Sequence, residues 1–420
     1  MALLHRQRAE RRPLPPGFGT IWSTVALDLV GFGIILPILA LYGERFGASP
    51  TTLGFVVSSF SVAQLICSPL LGRLSDRIGR RPVILLSLFG TALGSVITGG
   101  ATSVWMLFLG RVVDGASGAS VSVAQGAVTD VASPEDRPRL LGLLSAAFGV
   151  GFVLGPALGG IAALAGPRVP FFVAAAIAFV NGLVAFKRLP ETLPPSARRQ
   201  RDLPVDEPAV ETAERRRTLT RLALVAFIAT AAFSAFEATF SLLGERRFDL
   251  TESSVFVVFI GIGVLLVAVQ AGMIRPVNAR FGSVNALRFA LGLNAIGLLL
   301  LAAATTWLLL IPALALLVIG QGLATPTLAT LVADRAHDAR RGGALGFQQS
   351  AGALARIVGP AMGGILFEHV GVAAPYVVGA AMVGVALLVV GRLRVPVTPT
   401  VAGPPPPLGV PPAARDGQLA

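Results

Sequence analysis

Charge is scarce in this sequence. Only 13% of its 420 residues are charged, against about 25% in a soluble protein. So little charge over so long a chain excludes a large soluble core and indicates a polytopic membrane protein. Cysteine is almost absent. Cys67 stands alone inside an apolar segment, which excludes a disulfide framework or a thiolate metal site within one chain. His5, His337 and His369 lie far apart and outside the apolar segments, so neither a metal cluster nor a cofactor is expected. The chain offers no paired catalytic histidines and no nucleophile beside a base, and an enzyme is not expected. The net charge of +12 is not read as nucleic-acid binding, because no basic patch is interleaved with aromatic residues. A cleaved signal peptide is not expected either: the apolar run near 19–41 is too long and lacks a small-residue cleavage site.

Hydrophobic residues make up 54% of the chain, and the mean hydropathy is +0.76. They fall in runs of about 20 residues, the length of a bilayer crossing. The runs lie near 19–41, 53–71, 83–101, 104–127, 139–164, 169–187, 220–243, 254–274, 284–303, 306–332, 344–367 and 372–391. An all-α membrane protein of twelve transmembrane helices is therefore expected. The arginines alternate along the chain. Connections holding Arg45, Arg168 and Arg246/Arg247 are poor in them, and the intervening connections hold nearly all the rest. By the positive-inside rule both termini are cytoplasmic, in a cell or inner membrane, with the basic ends facing anionic lipid. The expected organisation is a basic N-terminus at 1–18, a six-helix bundle at 19–187, a cytoplasmic linker at 188–218, a second bundle at 219–392 and a disordered Pro-rich tail at 393–420.

Internal repetition supports the two bundles. Gly155-Pro156-Ala157-Leu158-Gly159-Gly160 recurs as Gly359-Pro360-Ala361-Met362-Gly363-Gly364. At the same offset Gly142 meets Gly346, Asp130 meets Asp334, and Arg137 meets Arg341.

Two segments carry motifs. The first is the charged turn Gly72 to Pro82, which holds Gly72, Asp76, Arg77, Gly79, Arg80 and Arg81 between two apolar runs. Asp76 either pairs with arginine or caps a helix N-terminus in one conformational state only, or it makes a local salt bridge in a topology signal. The segment Arg275 to Gly282 is its decayed counterpart, keeping basic residues and the last glycine but lacking the aspartate. The second motif is Gly142, Gly151, Gly155, Pro156, Gly159 and Gly160 in the fifth run. Positions 151, 155 and 159 recur every four residues and form one side-chain-free stripe on a helix. Such a stripe permits close helix packing, and Pro156 frees a backbone carbonyl.

The turn resembles the Gly–x–Leu–x–Asp–Arg–x–Gly–Arg–Arg signature between helices 2 and 3 of the major facilitator superfamily, and the stripe resembles the antiporter motif of its drug-exporting members. The resemblance implies two six-helix bundles related by an axis along the membrane normal. It further implies a latch at the turn and alternating access driven by protons. The group it points to is that of tetracycline and multidrug antiporters.

Ionisable residues inside apolar runs each cost about 3 kcal/mol at a helix centre, so each needs a partner or a water-filled cavity. They are Asp28, Arg111, Asp114, Glu237 and Arg356. Leu27-Asp28 with Gly31, Gly33 and Pro37 resembles the first helix of tetracycline-type exporters, where an acid serves proton coupling or substrate binding. Arg111 to Gly115 resembles the family's helix 4 motif, whose arginine is assigned to proton transfer; Asp114 departs from its usual glutamine. Arg111 and Asp114, three apart, also have the spacing to neutralise each other. Glu237, between Phe236 and Phe240, suits cationic lipophilic substrates. Arg356 replaces Phe152 of the first repeat and has Glu237 or Asp28 as possible partners. Gln64, Gln125, Asn294, Gln321, Gln348 and Gln349 either line a cavity or hydrogen-bond between helices; Gln348 is the cavity candidate.

The expected function is proton-coupled efflux of drugs or other small lipophilic molecules by a monomer. The partners are then a small-molecule substrate, protons and the bilayer, with no nucleic acid. Asp28, Arg111, Asp114 and Glu237 are the proton-coupling candidates. Asp28, Phe236, Glu237, Phe240, Gln348 and Arg356 are the cavity candidates. A same-fold importer or facilitator of a metabolite is the alternative, and a non-transporting receptor or scaffold a more distant one.

Overall fold

The computed structural model describes residues 13–133, 136–193, 213–336 and 341–392. His5, His337, most of the basic N-terminus, the middle of the expected linker and the Pro-rich tail lie outside these residues. All regular structure among the described residues is helical. The first half comprises α1 (Phe18–Ile35), α2 (Leu39–Glu44), α3 (Pro50–Ile78), α4 (Arg80–Gly99), α5 (Val104–Ser117), α6 (Ser120–Val131), α7 (Arg137–Ala163) and α8 (Val169–Arg188). The second half comprises α9 (Ala213–Phe248), α10 (Glu252–Gly272), α11 (Ile274–Ala303), α12 (Trp307–Arg335), α13 (Arg341–His369) and α14 (Ala374–Gly391).

Eleven of these helices are long and apolar enough to cross a bilayer. The remaining expected crossing, 104–127, is broken at Gly118 into α5 and α6, of 14 and 12 residues, and neither piece spans alone. Its freed backbone needs a partner away from water, and Gln64 Nε2 of α3 donates to Gly118 O at 2.8 Å. The first run also differs from expectation. Pro37 cannot continue a helix, so the chain turns after Ile35 and resumes as the short α2. At the linker, α9 begins at Ala213, inside the span assigned to the linker from sequence.

Each half has its own apolar core. Leu, Ile, Val and Ala from α1, α4, α6 and α7 fill the first, and Phe236, Phe240, Leu287, Leu317 and Tyr376 are among the buried side chains of the second, while Phe256 of α10 is buried among Val30, Ile34 and Phe171 of the first half. The halves meet along two helix pairs, α3 with α13 and α7 with α10. For reference, the end carrying the Gly72–Pro82 turn is called the basic end, and the opposite one the far end.

The repeated glycines explain the packing. A Cβ on Gly155 of α7 would lie 2.6 Å from Gly33 Cα of α1, and one on Gly151 would lie 2.7 Å from Leu29 O. One turn further on, Gly159 and Gly160 meet the Phe256 ring of α10, in the other half. The second repeat does the same. Gly359 and Gly363 of α13 press on Ala231 and Ala235 of α9, while Gly364 meets Pro50 and Gly54 of α3. Each motif therefore binds its own bundle's first helix and also the opposite bundle. Ser58 Oγ adds a hydrogen bond to Ile357 O at 2.7 Å across the same α3–α13 seam.

The two charged turns share a backbone feature. Gly79 at the α3–α4 junction has φ 110°, and Gly282 inside α11 has φ 73°. Both are conformations that favour glycine, so the decayed turn keeps its bend after losing its aspartate.

Gly155→Leu forces side-chain atoms against the α1 backbone and is expected to cost about 1–3 kcal/mol. Gly142→Leu, at a site where an added Cβ meets nothing within 4 Å, is expected to be tolerated. Thermal unfolding of the purified variants in detergent checks the contrast.

Candidate functional site

The break at Gly118 sets up the site. Beyond it, Ser120 opens α6 and its Oγ donates to Asp28 Oδ2 of α1 at 2.5 Å. Asp28 Oδ1 is buried with no hydrogen-bond partner among the described residues. The carboxylate is thus half satisfied in the middle of a span. Asn181 of α8 fixes the same helix by donating to Thr24 O at 2.9 Å.

On α5, Arg111 and Asp114 form a buried pair, 2% and 5% exposed, with Nη1 and Oδ2 2.7 Å apart. The Arg111 guanidinium lies 4.3 Å from the Phe60 ring centroid of α3, a cation–π contact that offsets part of its desolvation. Its Nε has no hydrogen-bond partner among the described residues. Arg111 is therefore held by Asp114 and Phe60, and Asp28 by Ser120. Asp28 and Asp114 are close enough for their charges to interact. Sequence alone missed Ser120 and Phe60, since the run 104–127 carries no sign of the break at Gly118 that brings the serine to Asp28.

In the second half, Glu237 of α9 is half-buried and within electrostatic range of Arg356 of α13. Of the two partners expected for Arg356, the structure supplies Glu237. Phe236 and Phe240 are placed differently from the expected cavity wall. They are 1% and 0% exposed, their rings meet at a tilt with centroids 5.3 Å apart, and Phe240 packs on Phe259 of α10 in the bundle core. Gln348 is half-buried on α13. Asn294 donates to Gln321 Oε1 at 3.1 Å, an interhelical bond between α11 and α12.

At the basic turn, Arg80 is the hub. It is 6% exposed and pairs with Asp76 at 2.8 Å and with Asp130 at 3.0 Å, while its Nη1 donates to Ser75 Oγ at 2.6 Å. The start of the expected linker is docked here. Glu191 accepts from the Arg80 and Arg81 amides at 2.9 and 3.2 Å, placing an anion on the N-terminus of α4, where the helix dipole favours it. Asp130 recurs in the internal repeat, but nothing in the sequence pointed to Glu191.

The sequence model of the Major Facilitator Superfamily matches residues 21–276 and 272–416. The chain belongs to the Major Facilitator Superfamily. It is a multi-pass membrane protein of a transporter family, not an enzyme. Within the superfamily it is 32% identical to the class C tetracycline resistance protein of Escherichia coli, over 81% of this chain and 87% of that one. It is 29% identical to multidrug resistance protein 2 of Bacillus subtilis (strain 168), over 84% and 88% of the two chains. Among solved structures it is similar to the human organic anion transporter MFSD10 (TETRAN), with a TM-score of 0.69, 27% identity and coverage of 90% of this chain and 100% of that one. It also shares the fold of the nucleoside transporter NupG, at TM-score 0.69 and 14% identity, over 90% of this chain and 100% of that one.

Asp114→Asn strands a buried guanidinium, and loss of one partner of such a pair costs about 3–5 kcal/mol. Arg111→Met combined with Asp114→Leu removes both charges and is expected to recover most of that loss. Unfolding temperatures of the single and double variants decide it; a silent Asp114→Asn would show that the pair does not hold the helix.

Proposed function

We propose that this superfamily member is a proton-coupled exporter of small lipophilic compounds, working as a monomer by alternating access between its two halves. The observation that carries the reading is Asp28. One of its carboxylate oxygens is held by Ser120, and the other is buried without a hydrogen-bond partner among the described residues. A buried carboxylate with a vacant acceptor is stabilised either by a proton or by a cationic or hydrogen-bonding substrate. Those two ligands compete, and competition at one group is enough to exchange protons for cargo. Glu237 with Arg356 offers a second charged contact from the other half. The resistance proteins named above support drugs as the cargo class.

The arginine distribution supports a cytoplasmic basic end and cytoplasmic termini. The contacts between halves lie toward the far end, so on this reading the conformation is closed to the outside. Asp76 and Arg80 at the turn then form the element that rearranges when the cytoplasmic side closes.

A second reading, transport of organic anions, is favoured by Arg356, an exposed cation within a span, and by the similarity to the human transporter. Both readings are tested in inverted vesicles with an imposed pH gradient, using tetracycline, ethidium and an aromatic carboxylate as probes. Wild-type protein is expected to accumulate tetracycline or ethidium. Asp28→Asn is expected to lose gradient-driven accumulation while keeping counterflow. Full accumulation by Asp28→Asn removes the residue from coupling, and carboxylate uptake alone selects the second reading.

A further inference from the structure

At the far end the halves are joined by side chains as well as by glycine contact. Arg45, just beyond α2, donates Nε and Nη2 to Glu252 Oε1 at the start of α10, at 3.1 and 2.7 Å. In the opposite sense, Arg246 of α9 reaches Glu44 of α2 at 3.6 Å. Its guanidinium lies 4.8 Å from the Phe367 ring centroid of α13. The Thr51 amide of α3 donates to Glu368 Oε2 at 2.9 Å. The Arg45–Glu252 pair and Glu44 border an open cleft of about 730 Å³, which Glu245 and Asp249 also line.

One contact in this clasp differs in kind. Glu44 and Glu245, from opposite halves, line the same cleft, and their carboxyl groups interact there. Two carboxylates repel; two carboxyls bond only when one of them carries a proton. We propose that Glu44 and Glu245 form a proton-binding site on the far face, and that its occupation holds the two halves together there. The site is separate from Asp28 and depends on no assumption about the cargo.

The surroundings fit a site that keeps a proton. Burial is the largest influence on the Glu44 carboxyl, and with the Glu245 carboxyl it pushes Glu44 up to about 7, against the pull of Arg246. The other charged groups nearby are engaged or acidic. Arg45 is bound to Glu252, and Arg247 to the carbonyls of Ala302 and Ala304. Asp249 and Glu252 add negative charge across the cleft. On α13, Glu368 is bonded to Thr51, next to His369 beyond the Phe367 ring.

The sign follows from linkage. Separating the halves exposes Glu44 and returns its carboxyl to the ordinary range, so the closed form binds the proton more tightly. Closure is then weakest above about pH 7 and strengthens as pH falls from there toward the ordinary carboxyl range. Protons arriving from outside would thereby favour shutting the far face behind them.

The test is a distance measurement on the full chain in lipid nanodiscs. Nitroxides are placed at Thr102→Cys and Thr305→Cys, on exposed far-end loops of the two halves, in a Cys67→Ser background. Between about pH 8 and pH 5 the ratio of short to long distances is expected to rise well over tenfold, on the order of seventyfold. Glu245→Gln replaces the shared proton with an amide that donates to Glu44 permanently, and is expected to abolish the pH dependence. Glu44→Gln does so from the other half, so misfolding of one variant leaves the other to decide. A wild-type distribution indifferent to pH overturns the proposal, as does a pH response that survives in either folded glutamine variant.

Discussion

Two helices in hydrocarbon gain nothing by hiding apolar side chains from each other, since lipid is as apolar as leucine. What they gain is contact between backbones, and contact requires that side chains be missing at the crossing. The rest of this structure depends on that constraint. Gly155 against Gly33 binds α7 to α1, and Gly363 against Ala235 binds α13 to α9. The same two motifs then carry Gly159 and Gly160 to Phe256, and Gly364 to Gly54, across the seam between halves. A motif that touches both its own bundle and the opposite one places the seam between halves beside the packing within a half. The crossings sit toward the far end, where the ion pairs of Arg45 and Arg246 are also found.

Charge is the second constraint, and the chain spends little of it inside the spans. Arg111 and Asp114 neutralise each other on one helix, with Phe60 completing the guanidinium's surroundings. Asp28 is different in that the bond from Ser120 satisfies only part of its carboxylate. A group left partly unsatisfied in a low-dielectric region has a large differential affinity for whatever completes it. Such differential affinity is what a transport cycle needs.

Much of this was legible in the sequence. The apolar runs and the recurrence of the Gly-Pro motif are one-dimensional signals, and they pointed to the helices and the small-residue stripe. The spacing of Arg111 and Asp114 allowed for their pairing. What could not be read depends on three-dimensional juxtaposition. Gly118 as a break, and with it Ser120 beside Asp28, follows from how α3 and α5 meet. The α2 turn hides in an apolar run that is long enough to be one helix. Phe236 and Phe240 flank Glu237 in sequence, yet helical geometry turns them into the core with Phe259. Glu191 lies in a stretch whose composition reads as linker, and only the structure shows it bonded to the start of α4.

The central claim is that substrate and proton compete for Asp28. The most direct measurement is the pH change of a weakly buffered solution of purified protein when tetracycline or ethidium is added, with binding followed separately. The account predicts that the wild-type protein releases protons as the compound binds, and that Asp28→Asn binds without release. Equal proton release by the two proteins would contradict it.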